Sequence, residues 1–516
     1  MDSILILDFG GQTTQLIGRR IRDFGVYSEI VPGDSLLEDV LHSGVKGIIL
    51  SGSPYSAYNE DSPAPDPALY SCGLPVLGIC YGFHQMTIAD GGEVRPLGHT
   101  EYGRSEVRVV KKDSLFDGIP EKFLSWMSHG DSLVRPGKNF EITAESENSI
   151  PAAAAHRTKP LWGVQYHPEI SHCEYGSRLL ENFACHICGA AKEWSLEKYI
   201  EEESALIAEK AAGRNILLLI SGGVDSTVAA AMLLKALPPE QIWLMYIDTG
   251  MMRKGESREV AENLKKLGAE NLLLIDAADR FLEPLKGVSD PEKKRKIIGD
   301  TFIRVQQEEI ARHIPPDYLL AQGTLYTDLI ESGKGVGNKA QVIKSHHNVG
   351  TPLVQAKREA GELVEPLDKL YKDEVRRLGE LLGVSPDIVN RHPFPGPGLA
   401  IRIISDITKE KLDILREADY IYISELKERN LYDKIWQAFS VLLPVRSVGV
   451  TGDAREYGFV LALRAVVSVD GMSADVFDFP SKDLLEISAK ITNNVKDVGR
   501  VVYDISSKPP ATIEWE

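Results

Sequence analysis

The chain has 516 residues and a formal net charge of −17, from 75 acidic and 58 basic side chains. At about 100–200 residues per domain, this length suggests three or so domains. Apolar residues make up 43% and charged residues 26%, the balance of a globular protein and not of a disordered or low-complexity one. The acidic excess argues against a protein that coats nucleic acid, while leaving room for a local basic pocket. No apolar run approaches a membrane span. The opening MDSILILDFGGQ carries Asp2 and Asp8 and no basic segment, unlike a secretory signal. The five cysteines fit a reducing compartment. A cytoplasmic protein without nucleic-acid or membrane partners is expected.

The first elements alternate short apolar runs with glycine turns. ILILDFGG, GIILSGSP and PVLGICYG each read as a buried strand ending in a turn. With helical patterns between them, they predict a doubly wound α/β domain over residues 1–190. In the third run Cys80 follows an apolar strand, between Gly78 and Gly82. A thiol on a tight strand-to-helix turn is exposed, and a helix N-terminus behind it lowers its pKa. The same turn offers backbone N–H groups to an oxyanion. The base is sought in LWGVQYHPEIS. There His167 and Glu169 stand two residues apart, which on an extended strand puts them on one face. Cys80, His167 and Glu169 form a candidate catalytic triad. The pair Cys185-x-x-Cys188, near His172 and Cys173, lacks the ordered spacing of a zinc site, and burial of small thiols on a helix explains it better. No zinc is expected.

WSLEKYIEEESALIAEKAAG has helical periodicity, ends at Gly213, and predicts a linker over residues 191–213. A second α/β unit, residues 214–391, follows, with strands in NILLLISGG, QIWLMYIDTG, NLLLIDAAD and DYLLAQGTLYTD. After the first of these comes Ser221-Gly222-Gly223-Val224-Asp225-Ser226. Its glycines let N–H groups approach a phosphate, and a helix predicted from Val228 onward favours an anion. Ser221, Ser226 and Thr227 add hydroxyl donors. The Walker lysine is absent. Asp225 would repel a phosphate unless a divalent cation stood between them, so it reads as a Mg²⁺ ligand. A glycine turn with a polar helix cap is the plain alternative, and the whole string in this context argues against it. RHPFPGPGLA marks a break, and a small α+β domain is predicted over residues 392–516, with YGFVLALRAVVSVDG as a strand and KDLLEISAKITNNV as a helix.

G-x-C-x-G together with Q-x-H-P-E closely resembles class I glutamine amidotransferases. The resemblance implies glutamine hydrolysis through a thioester at Cys80, with oxyanion donors from the backbone of Ser53 and from Tyr81 N–H. Two positions depart from that family: His84 stands where glutamine is usual, and Ser53 replaces glycine in S-G-G-P. The S-G-G-x-D-S string resembles the pyrophosphatase-type loop of N-type ATP pyrophosphatases, which transfer AMP to a carbonyl or carboxylate oxygen and release pyrophosphate. Both halves, with RHPFPGPGLAIR, PVRSVGVTGDAREYG and KPPATIEWE, resemble the glutamine-hydrolysing GMP synthetase family over nearly the whole chain.

That resemblance implies glutamine, ATP and xanthosine 5′-monophosphate (XMP) as substrates, Mg²⁺ as cofactor, and a homodimer through the third domain. It implies an ATP site of Ser221, Gly222, Gly223, Val224, Asp225, Ser226, Asp248 and Lys344. Lys344 falls in a glycine-rich segment that resembles the family's lid. It further implies XMP contacts from Arg295, Arg402, Lys508, Ile513 and Glu514, and a second magnesium ligand at Asp328. The run Lys294-Arg295-Lys296 could offset phosphate charge. Two other classes compete: a different glutamine-dependent ligase of the NAD synthetase kind, and a nucleotide-binding regulator with a silent amidotransferase domain. The intact candidate triad argues against both.

Overall fold

In a computed structural model, residues 1–59, 61–329, 351–451, 454–468, 471 and 473–516 are described. Two compact units emerge, the first from residues 1–199 with the stretch beginning at Tyr326, the second from residues 200–325 and from residue 346 onward.

The first unit is built on a nine-stranded sheet. Its strands are β1 (Ser3–Asp8), β2 (Tyr27–Pro32), β3 (Val45–Leu50), β4 (Val76–Ile79), β5 (Glu93–Val109), β6 (Lys122–Arg135), β7 (Phe140–Ser146), β8 (Pro151–His156) and β9 (Leu161–Val164). The order is β2-β1-β3-β4-β9-β8-β7-β5-β6. The half from β2 to β9 is parallel. β1 and β4 are buried along their whole length, which explains their unbroken apolar sequence. The other half, β8 to β6, is antiparallel. β6 alternates exposed and buried positions over much of its length, and neither it nor β5 is a glycine-ended apolar run of the kind that marked the parallel strands. Cys185 and Cys188 lie in and after a one-turn π-helix, Asn182–Ile187, packed against the core of this unit.

The second unit carries a parallel sheet in the order β12-β11-β10-β13-β14. These strands are β10 (Asn215–Ile220), β11 (Ile242–Asp248), β12 (Asn271–Asp276), β13 (Tyr318–Ala321) and β14 (Leu363–Val364). β10 lies in the middle, with Ile216, Leu217 and Leu218 excluded from solvent. Burying each such side chain contributes about 1.5–3 kcal/mol. The chain fills one side of β10 and then returns to the other, so the strand order reverses beside its carboxyl end, the usual ligand-binding edge of such sheets. A second sheet follows. β15 (Gln437–Thr451) and β16 (Ala454–Val467) are antiparallel, β17 (Asp475–Val476) extends the sheet, and β18 (Val498–Tyr503) runs parallel to β16. One apolar cluster joins Leu217 and Met245 of the first sheet to Leu399, Leu412 and Leu461 further along.

Candidate active sites

The thiol site is made at the carboxyl ends of β3, β4 and β9. β4 delivers Cys80 directly onto the helix Tyr81–Ala89. Cys80 holds φ +51°, a conformation that costs a non-glycine residue on the order of 1–3 kcal/mol. Glycine is required two residues on, because a Cβ at Gly82 would lie 2.4 Å from Leu50 Cβ. The Gly82 N–H donates to the Ser51 carbonyl at 3.1 Å. Tyr81, the first helical residue, has no acceptor for its N–H within the helix.

β9 ends at Val164, so His167 and Glu169 stand on a turn and not on the extended strand expected from their spacing. Pro168 between them has no N–H to offer a ladder. The turn still joins them: His167 Nδ1 lies 2.8 Å from Glu169 Oε1, and Glu169 is wholly buried. The backbone N–H of His167 donates to the Trp126 carbonyl at 3.0 Å, which fixes the turn on β6. Burial alone would push the imidazole down. The Glu169 carboxylate and the hydrogen-bonded Cys80 side chain outweigh it and raise His167 to about 10. An imidazolium beside sulfur is the partner that a thiolate nucleophile needs.

Gly52 closes the third side. A Cβ there would sit 3.1 Å from His167 Cε1 and 4.0 Å from Cys80 Cβ. The Ser53 hydroxyl turns inward, donating to the Phe9 carbonyl at 2.8 Å and accepting from Tyr55 N–H at 3.2 Å. Its side chain braces the loop and leaves the backbone for any ligand. Gln165, the first residue of Q-x-H-P-E, has no role that the motif alone reveals, and it donates from Nε2 to Cys80 Sγ at 3.7 Å.

The phosphate loop repeats this strand–turn–helix design on β10. Gly222 has φ +81°, and the helix Val224–Ala236 opens one turn earlier than the small-residue pattern suggested. Asp225, Ser226 and Thr227 therefore lie in its first turn. Ser226 Oγ accepts from Ser221 N–H at 3.3 Å and lies 3.0 Å from Ser221 Oγ, while Thr227 Oγ1 donates to the Gly223 carbonyl at 2.9 Å. These bonds fold the loop back on the helix start. The Lys372 ammonium donates to both Asp225 oxygens, at 2.5 and 2.6 Å. Arg391 donates to the Gly222 carbonyl at 2.9 Å. Neither cation was singled out from sequence. Lys372 follows a Leu-Tyr pair at the start of the helix Lys372–Leu381, where it resembles an ordinary surface charge. Asp248 ends β11 on the same sheet edge, accepting from Gly250 N–H at 2.8 Å and the Ser257 hydroxyl at 2.6 Å.

Residues 504–516 form a third cluster, held by buried cations. Arg402 is fully buried and meets Glu514 through two bonds, at 2.8 and 3.1 Å. Gln437 Nε2 donates to the same carboxylate at 2.8 Å. Arg464, also fully buried, donates to the carbonyls of Thr512 at 3.1 Å and Ile513 at 3.3 Å. Lys508 Nζ donates to the Gly471 carbonyl at 2.8 Å.

Comparison with known proteins follows these divisions. Residues 5–187 match the family described as "Glutamine amidotransferase class-I", and residues 424–515 match "GMP synthase C terminal domain". A GMP synthase [glutamine-hydrolyzing] of Aquifex aeolicus is 50% identical over 513 residues, covering 99% of each chain. One from Chlorobium luteolum is 50% identical over 524 residues, covering 100% of each. The chain belongs to the glutamine-hydrolysing GMP synthase family. A relative of the same name from Lactobacillus gasseri is 47% identical over 516 residues, covering 100% of this chain and 98% of its own.

Other residues expected to serve the family's chemistry are placed less centrally. Lys294 is fully buried, donating to Glu516 at 2.6 Å and the Ile403 carbonyl at 2.7 Å, so it braces residues 504–516 and offers nothing to an exposed phosphate. Arg295 is partly buried on the same helix, 3.7 Å from Glu292. Asp328, in the helix Tyr326–Leu329, groups with the first unit, so within the second unit the magnesium expectation rests on Asp225. Lys344 lies outside the described residues. Among the described residues, no group of three or more His, Cys, Asp or Glu side chains could hold a metal ion, and no helix is long and apolar enough to cross a membrane.

Proposed function

We propose that this chain makes GMP from XMP, hydrolysing glutamine for nitrogen and cleaving ATP to AMP and pyrophosphate. The observation that carries this reading is the presence, in one chain, of a strained thiol elbow with a buried His–Glu partner and a glycine phosphate loop on a second parallel sheet. Full-length similarity to proteins named GMP synthase supports the pairing.

In the first unit, Cys80 Sγ attacks the carboxamide carbon of glutamine. The oxyanion is received by Tyr81 N–H and the backbone at Ser53. His167 gives its proton to the departing nitrogen, which leaves as ammonia. Water then attacks the thioester with His167 as base, releasing glutamate and restoring the thiol. Glu169 orients the imidazole and stabilises its charged form.

In the second unit, O2 of the XMP base attacks the α-phosphorus of ATP, and pyrophosphate leaves into the loop of residues 221–226. Ammonia then attacks C2 of the purine, and AMP departs with the oxygen. Asp248 lies where the ATP purine and ribose would sit. A single carboxylate beside a phosphate loop suits magnesium, which takes one or two protein carboxylates and completes its shell with phosphate oxygens and water. Asp225, whose two oxygens meet the Lys372 ammonium in the structure, would hold the ion once that ammonium turns to the phosphates, and the ion would supply charge neutralisation there. XMP is read against Arg295, Lys508, Ile513 and Glu514, while Arg402, expected to touch XMP, is fully buried and instead holds the Glu514 carboxylate in place. The Lys508 ammonium, with one of three protons given to Gly471, keeps two for a 5′-phosphate. The division of labour runs over residues 1–190, 191–213, 214–391 and 392–516. The enzyme works as a cytoplasmic homodimer joined through residues 392–516.

The test is direct. Purified chain with XMP, ATP and magnesium is expected to release AMP, pyrophosphate and GMP with either glutamine or ammonia. Release of ADP and orthophosphate, or no GMP with either donor, overturns the reading.

A further inference from the structure

His84 departs from the amidotransferase pattern at a buried position beside the thiol, and the fold gives it a partner. His84 lies one turn into the helix that Cys80 begins, with its backbone N–H donating to the Cys80 carbonyl at 3.1 Å. Its side chain is 3% exposed, and Gln165 opposite is 1% exposed. His84 Nε2 lies 2.6 Å from Gln165 Oε1, and Gln165 Nε2 lies 3.7 Å from Cys80 Sγ.

With the Gln165 oxygen toward the ring, the short contact is a bond donated by His84 Nε2, since an amide oxygen can only accept. In this orientation the amide NH₂ group faces the sulfur, so the Nε2-protonated ring and the amide support one another. In the flipped amide, oxygen would face the sulfur and repel a thiolate. The backbone N–H of Gln165 donates to the Ala152 carbonyl at 2.8 Å, which holds the residue in place.

We propose that His84 is a positioning residue for the nucleophile, acting through Gln165 to aim an amide N–H at Cys80 Sγ and stabilise the thiolate. Hydrogen bonds to an ionised acceptor are roughly twice as strong as neutral ones, so the relay favours the thiolate over the thiol. Burial, aided by His129, lowers His84 to about 4, against the opposing effects of Gln165 and Asp131. The ring therefore stays neutral through the working pH range and adds no charge that would disturb His167. The charged and titratable groups around this relay are His167 and Glu169 on the turn after β9, and His129 and Asp131 on β6.

The inference rests on Cys80 being the glutaminase nucleophile. The experiment follows the rate of Cys80 alkylation by iodoacetamide against pH, alongside glutaminase kinetics, in the full-length protein. Near-UV circular dichroism and cooperative thermal unfolding report that the first unit of each variant is folded, and ammonia-dependent GMP formation reports the same for the second. His84→Leu is expected to move the alkylation midpoint to higher pH and to lower glutaminase kcat about tenfold with KM little changed. His84→Gln, which can still donate to Gln165, should restore the wild-type profile. Gln165→Met should reproduce the His84→Leu shift, and the double variant should be no worse than either single one. Gln165→Met also keeps the test decisive if His84→Leu does not fold. An unchanged alkylation profile in the folded variants, or additive losses in the double variant, overturns the relay. Wild-type glutaminase that survives full alkylation of Cys80 overturns instead the assignment of the nucleophile.

Discussion

Cys80 and the loop of residues 221–226 are two versions of one local design. Each follows a buried parallel strand, each turns sharply, and each starts a helix. They differ in what the turn presents. At the thiol site a non-glycine residue is forced to φ +51°, so a single side chain projects from the bend. At the phosphate site the positive φ of +81° falls on Gly222, so no side chain projects and the backbone itself is offered. The first turn is surrounded by protein groups already in place: His167, Glu169, Gln165 and Gly52. The second is held from outside by Lys372, paired with Asp225, and by Arg391, paired with Glu256 and bonded to the Gly222 carbonyl. A nucleophile needs one atom held rigidly, whereas a polyphosphate needs many weak donors over a wide surface.

This contrast can be broken in order of expected effect. Replacing Cys80 by Ala should reduce glutamine-dependent GMP formation by about 10⁴-fold or more and leave ammonia-dependent formation intact. Steady-state rates with each donor check this, and loss of both in a folded variant would contradict the division into two sites. Asp225→Asn should lower synthesis by about 10²-fold with both donors, while glutaminase persists. Activity titrated against magnesium is the readout, and unchanged rates at low magnesium would remove Asp225 from that role. Lys372→Met should raise KM for ATP about tenfold, without altering glutamine hydrolysis.

The mildest prediction concerns Glu169→Gln. With Glu169 present, His167 titrates near 10 in the folded protein, against 6.5 when free. Between these values the native state holds one proton more than the unfolded state, so stability falls as pH rises. The pair's contribution is therefore fully present below 6.5 and lost as pH climbs through about 10. Removing the carboxylate should lower the imidazole pKa and flatten that fall. Urea unfolding on either side of the window checks it, and an unchanged slope would mean that Glu169 does not hold the proton.

Much of this was legible in the residues because the informative features are local. The strands β1, β3, β4, β10 and β11 each carry a short apolar run ended by turn residues, which marks them in the sequence. Cys80, and the glycines after β10, lie within a few residues of those strand ends. The antiparallel half of the first sheet was not foreseen. Its strands alternate on half-buried faces, and their pairing is set by neighbours distant in sequence. The same reason hid Lys372, 147 residues from Asp225, and Gln165, 85 residues from Cys80. The His167–Glu169 contact was expected for a reason the structure replaces. Spacing on a strand suggested it, and a proline turn delivers it. Lys294 ran the other way: in a run of basic residues it looked like a phosphate partner, and its helix instead turns it into the interior, against Glu516.

The brace on residues 504–516 has a consequence for how the polypeptide is born. Arg402 and Lys294 are sealed from water and take their counter-charges from Glu514 and Glu516. A guanidinium or ammonium left unmatched in such a place is strongly destabilising. The second unit therefore reaches its final packing only once residues 514–516 have docked, and a chain shortened before Glu514 would leave two buried cations without counter-charges.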